Sequence, residues 1–75
     1  MKIVKMVDAK GLICPLPLLK AKQALHQITT GEQLLVLTTD AGSVKDFHAF
    51  IRLSENRMIE FLDKNTHYHY VIEKG

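Results

Sequence analysis

The segment formed by residues 8–22, DAKGLICPLPLLKAK, decides how this chain folds. The apolar run before it, residues 2–7 (KIVKMV), is typical of a β-strand, and apolar residues at helical spacing begin at Pro15. Proline has no amide hydrogen, but the first four amides of a helix have no intrahelical acceptor, so Pro15 and Pro17 are tolerated there. Because the proline ring holds φ near the helical value, the two prolines predict where the first helix begins.

The remaining elements follow from periodicity. The first helix is predicted to run from Pro15 to about Ile28, roughly four turns, with Gly31 as its stop signal. The near-continuous apolar run QLLVLT (33–38) predicts a strand that is covered on both faces or central in the sheet. A second amphipathic helix follows, with Asp40 and Ser43 as candidate N-caps and an apolar side formed by Val44, Phe47, Phe50, Ile51 and Leu53. Two alternating segments, 57–63 and 67–74, predict a hairpin around the turn KNT.

The element order is therefore βαβαββ, and the expected fold is an α+β two-layer sandwich. It has a mixed four-stranded sheet with two helices packed on one face, because two helices cannot cover both faces of four strands in so short a chain. Residues 1–75 are expected to form a single domain, since 75 residues are near the lower limit for folding on one hydrophobic core.

Composition excludes several classes of protein. The net charge of +2 is small and the basic residues are scattered along the chain, so a direct nucleic-acid partner is not expected. The sequence contains no run of about 18 apolar residues, so membrane insertion is not expected. Lys5 and Asp8 interrupt the apolar N-terminal segment, so no signal peptide is expected, and the expected compartment is the cytoplasm, where a thiol stays reduced.

Cys14 is the only cysteine, and it directly precedes the prolines. Gly11 permits a tight turn from the first strand to the first helix, which brings the thiol to the surface. A helix N-terminus carries about half a positive charge, so the pKa of the thiol is expected to fall from about 8.5 to roughly 7–8. A lowered pKa would increase the thiolate, which is the reactive form.

A single thiol limits the chemistry. Without a second cysteine the chain cannot form a self-contained dithiol–disulfide couple, and a domain of this size has little room for a protease cleft. The chemistry left for one thiolate is to take a sulfur atom as a persulfide and pass it on. Two alternatives stay open: a non-catalytic interaction or regulatory module of the same fold, and a thiol redox sensor.

Other residues carry weaker signals. Asp8 is interpreted as a hydrogen-bonded turn residue or a contact for a partner, and Leu12 and Ile13 as an apolar rim beside the thiol. His67 and His69 alternate on one strand, but two ligands do not make a metal site, and neither a metal nor another cofactor is expected. Tyr68, Tyr70 and Ile72 are predicted to point into the core. The candidate docking residues are Lys10, Ile13, Leu16 and Lys20.

The segment VDAKGLICPLP closely resembles the hallmark of the TusA/SirA-like sulfur-carrier family, Asp–x–x–Gly–Leu–x–Cys–Pro–x–Pro. Its fixed positions are filled by Asp8, Gly11, Leu12, Cys14, Pro15 and Pro17. The segments GEQLLVLTTD (31–40) and YHYVIEKG (68–75) are also similar to that family. The chain departs from it at Ala41 and His48, where many relatives have proline.

The resemblance implies the same two-layer sandwich and a persulfide on Cys14. It also implies a donor protein, either a cysteine desulfurase or another sulfurtransferase, and an acceptor protein. The destinations that it implies are tRNA thiolation and sulfur oxidation, and some members act beside membrane transporters of sulfur compounds.

Overall fold

The structure, a computed structural model, describes residues 3–75. Its elements follow the predicted βαβαββ order. They are β1 (Ile3–Ala9), α1 (Leu16–Leu25), β2 (Gln33–Thr38), α2 (Gly42–Arg52), β3 (Arg57–Asp63) and β4 (Tyr68–Glu73). The predicted first strand began at Lys2, which lies outside the described residues, and the observed strand continues two residues past Val7.

The four strands form one mixed sheet in the order β1-β2-β4-β3. β1 and β2 are parallel and are joined through α1, because a parallel pair requires a long crossover connection. β4 pairs antiparallel with both β2 and β3, and a tight turn at residues 64–66 closes the predicted hairpin. The α+β fold with a mixed four-stranded sheet is thus confirmed.

The core lies between the sheet and the two helices. Alternate residues of β2 and β4 face it, so that Leu34, Val36, Tyr70 and Ile72 are fully buried, and the predicted core positions of Tyr70 and Ile72 are confirmed. Phe47 of α2 stacks on Tyr70 with ring centroids 4.3 Å apart. From α1 and the turn after it come Ala21, Ala24, Leu25 and Ile28.

A chain of buried hydroxyl groups joins the first turn of α2 to the sheet. Ser43 Oγ lies 2.7 Å from Thr38 Oγ1 and 2.9 Å from Tyr70 OH. Ser43 is therefore not the N-cap that the sequence suggested. Ala41 occupies that position without a side-chain cap, and Asp40 bonds elsewhere. Burying three hydroxyls together satisfies each of them, which is the condition for polar groups in a core.

The first helix is shorter than predicted. It ends at Leu25, and residues 27 and 28 form tighter bonds to the carbonyl groups three residues earlier. The chain must turn here to enter β2. Lys74 Nζ donates to the Ile28 carbonyl oxygen at 2.7 Å, and the amide of Gly31, with φ of 91°, donates to the Lys74 carbonyl oxygen at 2.8 Å. These contacts hold the segment between α1 and β2 against the C-terminal segment, and the helix itself ends six residues before Gly31.

The apolar side of the second helix contains fewer residues than predicted. Leu53 follows the last residue of α2 and is 86% exposed, so it does not join the core. Phe50 and Ile51 do pack against the core cluster. No helix within residues 3–75 is long and apolar enough to span a membrane.

Only one of the two histidines that were predicted to share a strand lies within β4. His67 precedes β4, whereas His69 lies within it with Nε2 3.2 Å from Glu60 Oε1, at ion-pair distance but outside hydrogen-bonding geometry. Tyr68 is half-buried against the core. The residues that the structure describes contain no group of three or more metal-ligating side chains placed to hold an ion.

Candidate functional site

Cys14 lies exposed on the connection between β1 and α1, two residues before the helix begins. Pro15 is the N-cap residue and Pro17 the second helical residue, so the helix starts one residue later than predicted. The Cys14–Pro15 peptide bond is cis. Pro17 is a buried residue of α1, whereas the Cys14 thiol is exposed. The prolines therefore set the helix start, as expected.

The turn before the thiol is built by the motif residues. Gly11 has a φ of 84°, which glycine adopts without strain, and this confirms its predicted role in the turn. The amide of Leu12 donates to the Ala9 carbonyl oxygen at 3.2 Å. Asp8 Oδ1 accepts the Lys10 amide at 3.1 Å, which makes Asp8 a hydrogen-bonded turn residue.

The thiol loop is tied to the connection between β2 and α2. Because β1 and β2 are parallel neighbours, the loops that follow them meet at the same edge of the sheet. The amide of Gly11 donates to Thr39 Oγ1 at 2.9 Å, and the amide of Cys14 donates to Asp40 Oδ2 at 2.9 Å. The backbone on both sides of Ile13 is thus held by side chains from another part of the chain.

The thiol itself contacts a carboxylate from the second helix. Cys14 Sγ donates a hydrogen bond to Asp46 Oδ2. This hydrogen bond, then partial desolvation, then the negative charges of Asp46 and Asp40 raise the pKa of the Cys14 thiol. The expectation of a lowered pKa is therefore wrong.

The physical reason lies in which groups surround the sulfur. Pro15 and Pro17 have no amide hydrogens, and the Cys14 amide is already bonded to Asp40, so few free donors remain at this helix start. Two carboxylates, in contrast, lie close to the thiol. A carboxylate that accepts a hydrogen bond from the neutral acid stabilises that form and disfavours the anion.

A glycine allows this close packing. A Cβ atom placed on Gly42 would lie 3.1 Å from Asp40 Oδ2 and 3.3 Å from Cys14 Cβ. Thr39, Gly42 and Asp46 all support the thiol, and none was assigned to the site from the sequence. A helical periodicity places Asp46 on the outer side of α2, but it does not say which segment faces that side.

Apolar residues close to Cys14 in the sequence are exposed. Ile13 is 70% exposed and Leu16 is 44% exposed, and Leu19, one helical turn after Leu16, is also exposed. Leu12 is half-buried, while Lys10 and Lys20 are exposed. The predicted docking residues are thus all accessible, and their role stays a prediction.

The site is a surface position. A groove of about 380 Å³ lies near the end of α1, and its lining does not include Cys14. The lining consists of Lys22, Leu25, His26, Phe50, Asn56 and Lys74. An exposed thiol that does not line a groove is accessible to a second protein. Such a position is less suited to binding a small substrate, which needs an enclosing pocket.

Comparison with known proteins gives consistent matches over nearly the whole chain. A family model described as sulfurtransferase TusA matches residues 5–74. The sulfur carrier protein TusA of Allochromatium vinosum is 44% identical over 69 residues, which covers 92% of this chain and 91% of that protein. The putative sulfur carrier protein YrkI of Bacillus subtilis is 35% identical over the full length of both chains. The crystal structure of a SirA-like protein from Desulfitobacterium hafniense superposes with a TM-score of 0.81 at 26% identity, covering 95% of this chain and 97% of that chain.

Proposed function

Because the chain belongs to the TusA family of sulfur carrier proteins, we propose that Cys14 carries the sulfur as a persulfide between a donor protein and an acceptor protein. The observation that supports this most directly is the position of the only cysteine. It is exposed at the start of α1 and lies within the family motif. The motif residues around it, Asp8, Gly11, Leu12, Pro15 and Pro17, build the turn and the helix start that present it.

Each transfer is a displacement at sulfur. In loading, the Cys14 sulfur attacks the outer sulfur of the donor's cysteine persulfide; a new S–S bond forms as the donor's S–S bond breaks. The donor cysteine leaves as a thiolate and takes up the proton that Cys14 loses. In discharge, an acceptor thiol attacks the outer sulfur on Cys14, and Cys14 returns to the thiol. No external oxidant or reductant is consumed in either step.

The partners follow from this chemistry. The donor is a cysteine desulfurase or another sulfurtransferase, and the acceptor leads to tRNA thiolation or another sulfur-trafficking route, which includes proteins associated with membrane transporters of sulfur compounds. We place the relay in the cytoplasm without direct nucleic-acid binding. The exposed residues Lys10, Ile13, Leu16 and Lys20 are the proposed docking surface, since they flank the thiol and none of them is buried.

The raised pKa argues against a redox sensor. Cysteines that sense peroxide depend on a large thiolate fraction in the free protein, whereas the hydrogen bond to Asp46 raises the pKa of this thiol. A relay needs reactivity only when a partner is bound. A raised pKa also makes a thiol less prone to oxidation between transfers.

The experiment is to incubate the protein with a cysteine desulfurase and cysteine, block thiols without reductant, and measure its intact mass. We expect the mass of one added sulfur atom on the native protein and none on Cys14→Ala. Loss of the added sulfur on mixing with an acceptor thiol would complete the relay. An unloaded Cys14 across a desulfurase, a rhodanese-type sulfurtransferase and a thiosulfate-derived donor would contradict the proposal. A biological effect retained by Cys14→Ser would instead favour a regulatory module.

A further inference from the structure

The contact between Cys14 and Asp46 assigns a role to a residue outside the thiol motif. Asp46 lies on α2, whereas Cys14 precedes α1, so only the packing of the two helices on the sheet brings them together. Asp46 is half-buried and directly precedes Phe47, which is fully buried against Tyr70. The Ser43 hydroxyl chain holds the same helix to the sheet. The carboxylate is therefore held in place before any partner arrives.

The charge around the sulfur is negative. Asp46 accepts the thiol hydrogen bond, and Asp40 accepts the Cys14 amide from the connection between β2 and α2. Both carboxylates raise the pKa of the thiol, and no basic group is among the causes of that shift. Within residues 3–75, neither carboxylate forms an ion pair with a lysine, arginine or histidine. The two negative charges therefore act on the thiol of Cys14 and on any group attached to its sulfur.

The empty and loaded forms of Cys14 differ in how they suit this environment. The empty thiol is neutral and has a proton to donate to Asp46. A persulfide is a stronger acid than the thiol that bears it, so the loaded form is largely an anion near neutral pH. It has no proton to donate, and it lies beside two carboxylates. Like charges at such a distance disfavour the anion.

We propose that Asp46 biases the exchange equilibrium of Cys14 toward the empty form, by accepting the S–H hydrogen bond of the thiol and repelling the persulfide anion. The inference rests on the proposed function and adds a direction to it. In the exchange Cys14–S–S⁻ + R–SH ⇌ Cys14–SH + R–S–S⁻, one sulfur atom and the negative charge move to the acceptor, and the acceptor's thiol proton moves to Cys14. Asp46 therefore favours release of sulfur over its retention.

The size of the effect follows from the exposed position of the site. A pair of like charges about 4 Å apart in a water-like environment changes an equilibrium by about fivefold, and partial desolvation increases this. Removal of the Asp46 charge is accordingly expected to raise the loaded-to-empty ratio about fivefold. The Asp40 charge remains in such a variant and continues to disfavour the persulfide anion, which limits the rise in the loaded-to-empty ratio.

The test equilibrates each protein anaerobically with mixtures of glutathione persulfide and glutathione and measures the loaded fraction by intact mass. The pH midpoint of Cys14 alkylation by iodoacetamide is measured on the same proteins. Asp46→Asn removes the charge and keeps an oxygen acceptor, and Asp46→Ser is a second neutral variant in case the first unfolds. Asp46→Glu keeps the charge. Glu55→Gln, on an exposed residue beyond the other end of α2, is the matched control.

We expect the two neutral variants to load about fivefold more at a given ratio of glutathione persulfide to glutathione, and to alkylate at a lower pH midpoint. Asp46→Glu and Glu55→Gln should stay near the native values. Neutral variants that match Glu55→Gln in both loading and midpoint would overturn the inference. If the native protein takes up no sulfur, the proposed function fails, and the alkylation midpoints still decide whether Asp46 controls the thiol.

Discussion

Carboxylates accept hydrogen bonds at both ends of the sheet, but the pKa shifts that result are opposite in direction. At the end opposite the thiol, Glu32 accepts the Thr29 amide at 2.8 Å. That bond, the Thr29 side chain and the charge of Lys74 together lower the pKa of Glu32. At the Cys14 end, two carboxylates accept hydrogen bonds from the thiol and from its amide, and they raise the pKa of the thiol.

The difference lies in the donor. A carboxylate that accepts a bond from a backbone amide gains stability as an anion, because the amide cannot lose its proton. A carboxylate that accepts a bond from a thiol stabilises a group that can ionise, and so it controls that group's chemistry. Lys74 supplies a positive charge at the Glu32 end, and the Cys14 end has no equivalent among the causes of its shift. The contacts at the first end stabilise a carboxylate, and those at the second raise the pKa of a thiol.

The largest expected effect separates function from stability at the Cys14 end. Cys14→Ser should abolish sulfur transfer completely, since serine cannot form a persulfide. Its unfolding free energy should change little, because the side chain is exposed. The measurements are desulfurase-dependent transfer to an acceptor thiol and urea unfolding. A variant that lost stability along with transfer would show that the thiol also has a structural role.

The next prediction concerns the core that joins the two ends. Phe47→Ala should cost about 3–5 kcal/mol of unfolding free energy, because it removes a fully buried ring stacked on Tyr70. Leu53→Ala, at an exposed position after the same helix, is the control and should change stability by less than about 0.5 kcal/mol. Urea unfolding followed by circular dichroism measures both. Equal losses would contradict the observed packing.

A third prediction concerns the loss of a contact at the Glu32 end of the sheet, far from the thiol. Lys74→Met removes the charged hydrogen bond to the Ile28 carbonyl oxygen and should cost about 1–2 kcal/mol of unfolding free energy. Sulfur transfer by the folded variant should stay at the native rate. Lys45→Met, at an exposed position on α2, serves as the control for loss of a lysine charge. A transfer defect in folded Lys74→Met would mean that the two ends are coupled.

The fourth prediction tests the sign of the thiol shift. The folded protein should alkylate with a pH midpoint above that of the urea-unfolded chain, because Asp46 and Asp40 disfavour the thiolate only in the folded state. At about pH 8 the folded protein should therefore react more slowly with iodoacetamide. A midpoint below that of the unfolded chain would restore the helix-dipole expectation and reject the acidic environment described above.

The smallest expected effect is at Glu32. Its pKa is lowered in the folded state, so its contribution to stability is present above the unfolded pKa of about 4.3 and is lost as the pH falls through the folded value. Glu32→Gln should be slightly less stable than the native protein near neutral pH, and the two should converge in acid. Urea unfolding across this range measures the difference. A gap that widened in acid would contradict the assignment.

Much of the fold was predictable from the sequence because its determinants are local. A near-continuous apolar run predicted β2, and alternation predicted β3 and β4 and the core positions of Tyr70 and Ile72. The two prolines predicted the start of α1 to within one residue. The end of α1 was not predicted, because the segment after it is held by Lys74, which lies 46 residues beyond Ile28 and is brought there by the pairing of β4 with β2.

The sequence by itself determined the element order, the family and the exposed thiol at a helix start. Each of these depends on residue types and spacings within short segments. Only the tertiary structure decided the electrostatic environment of that thiol. The charges acting on an exposed group add through space, and Asp40 and Asp46 reach Cys14 from 26 and 32 residues away. A helix start alone predicted a lowered pKa, and the packing of a second helix beside it reversed the sign.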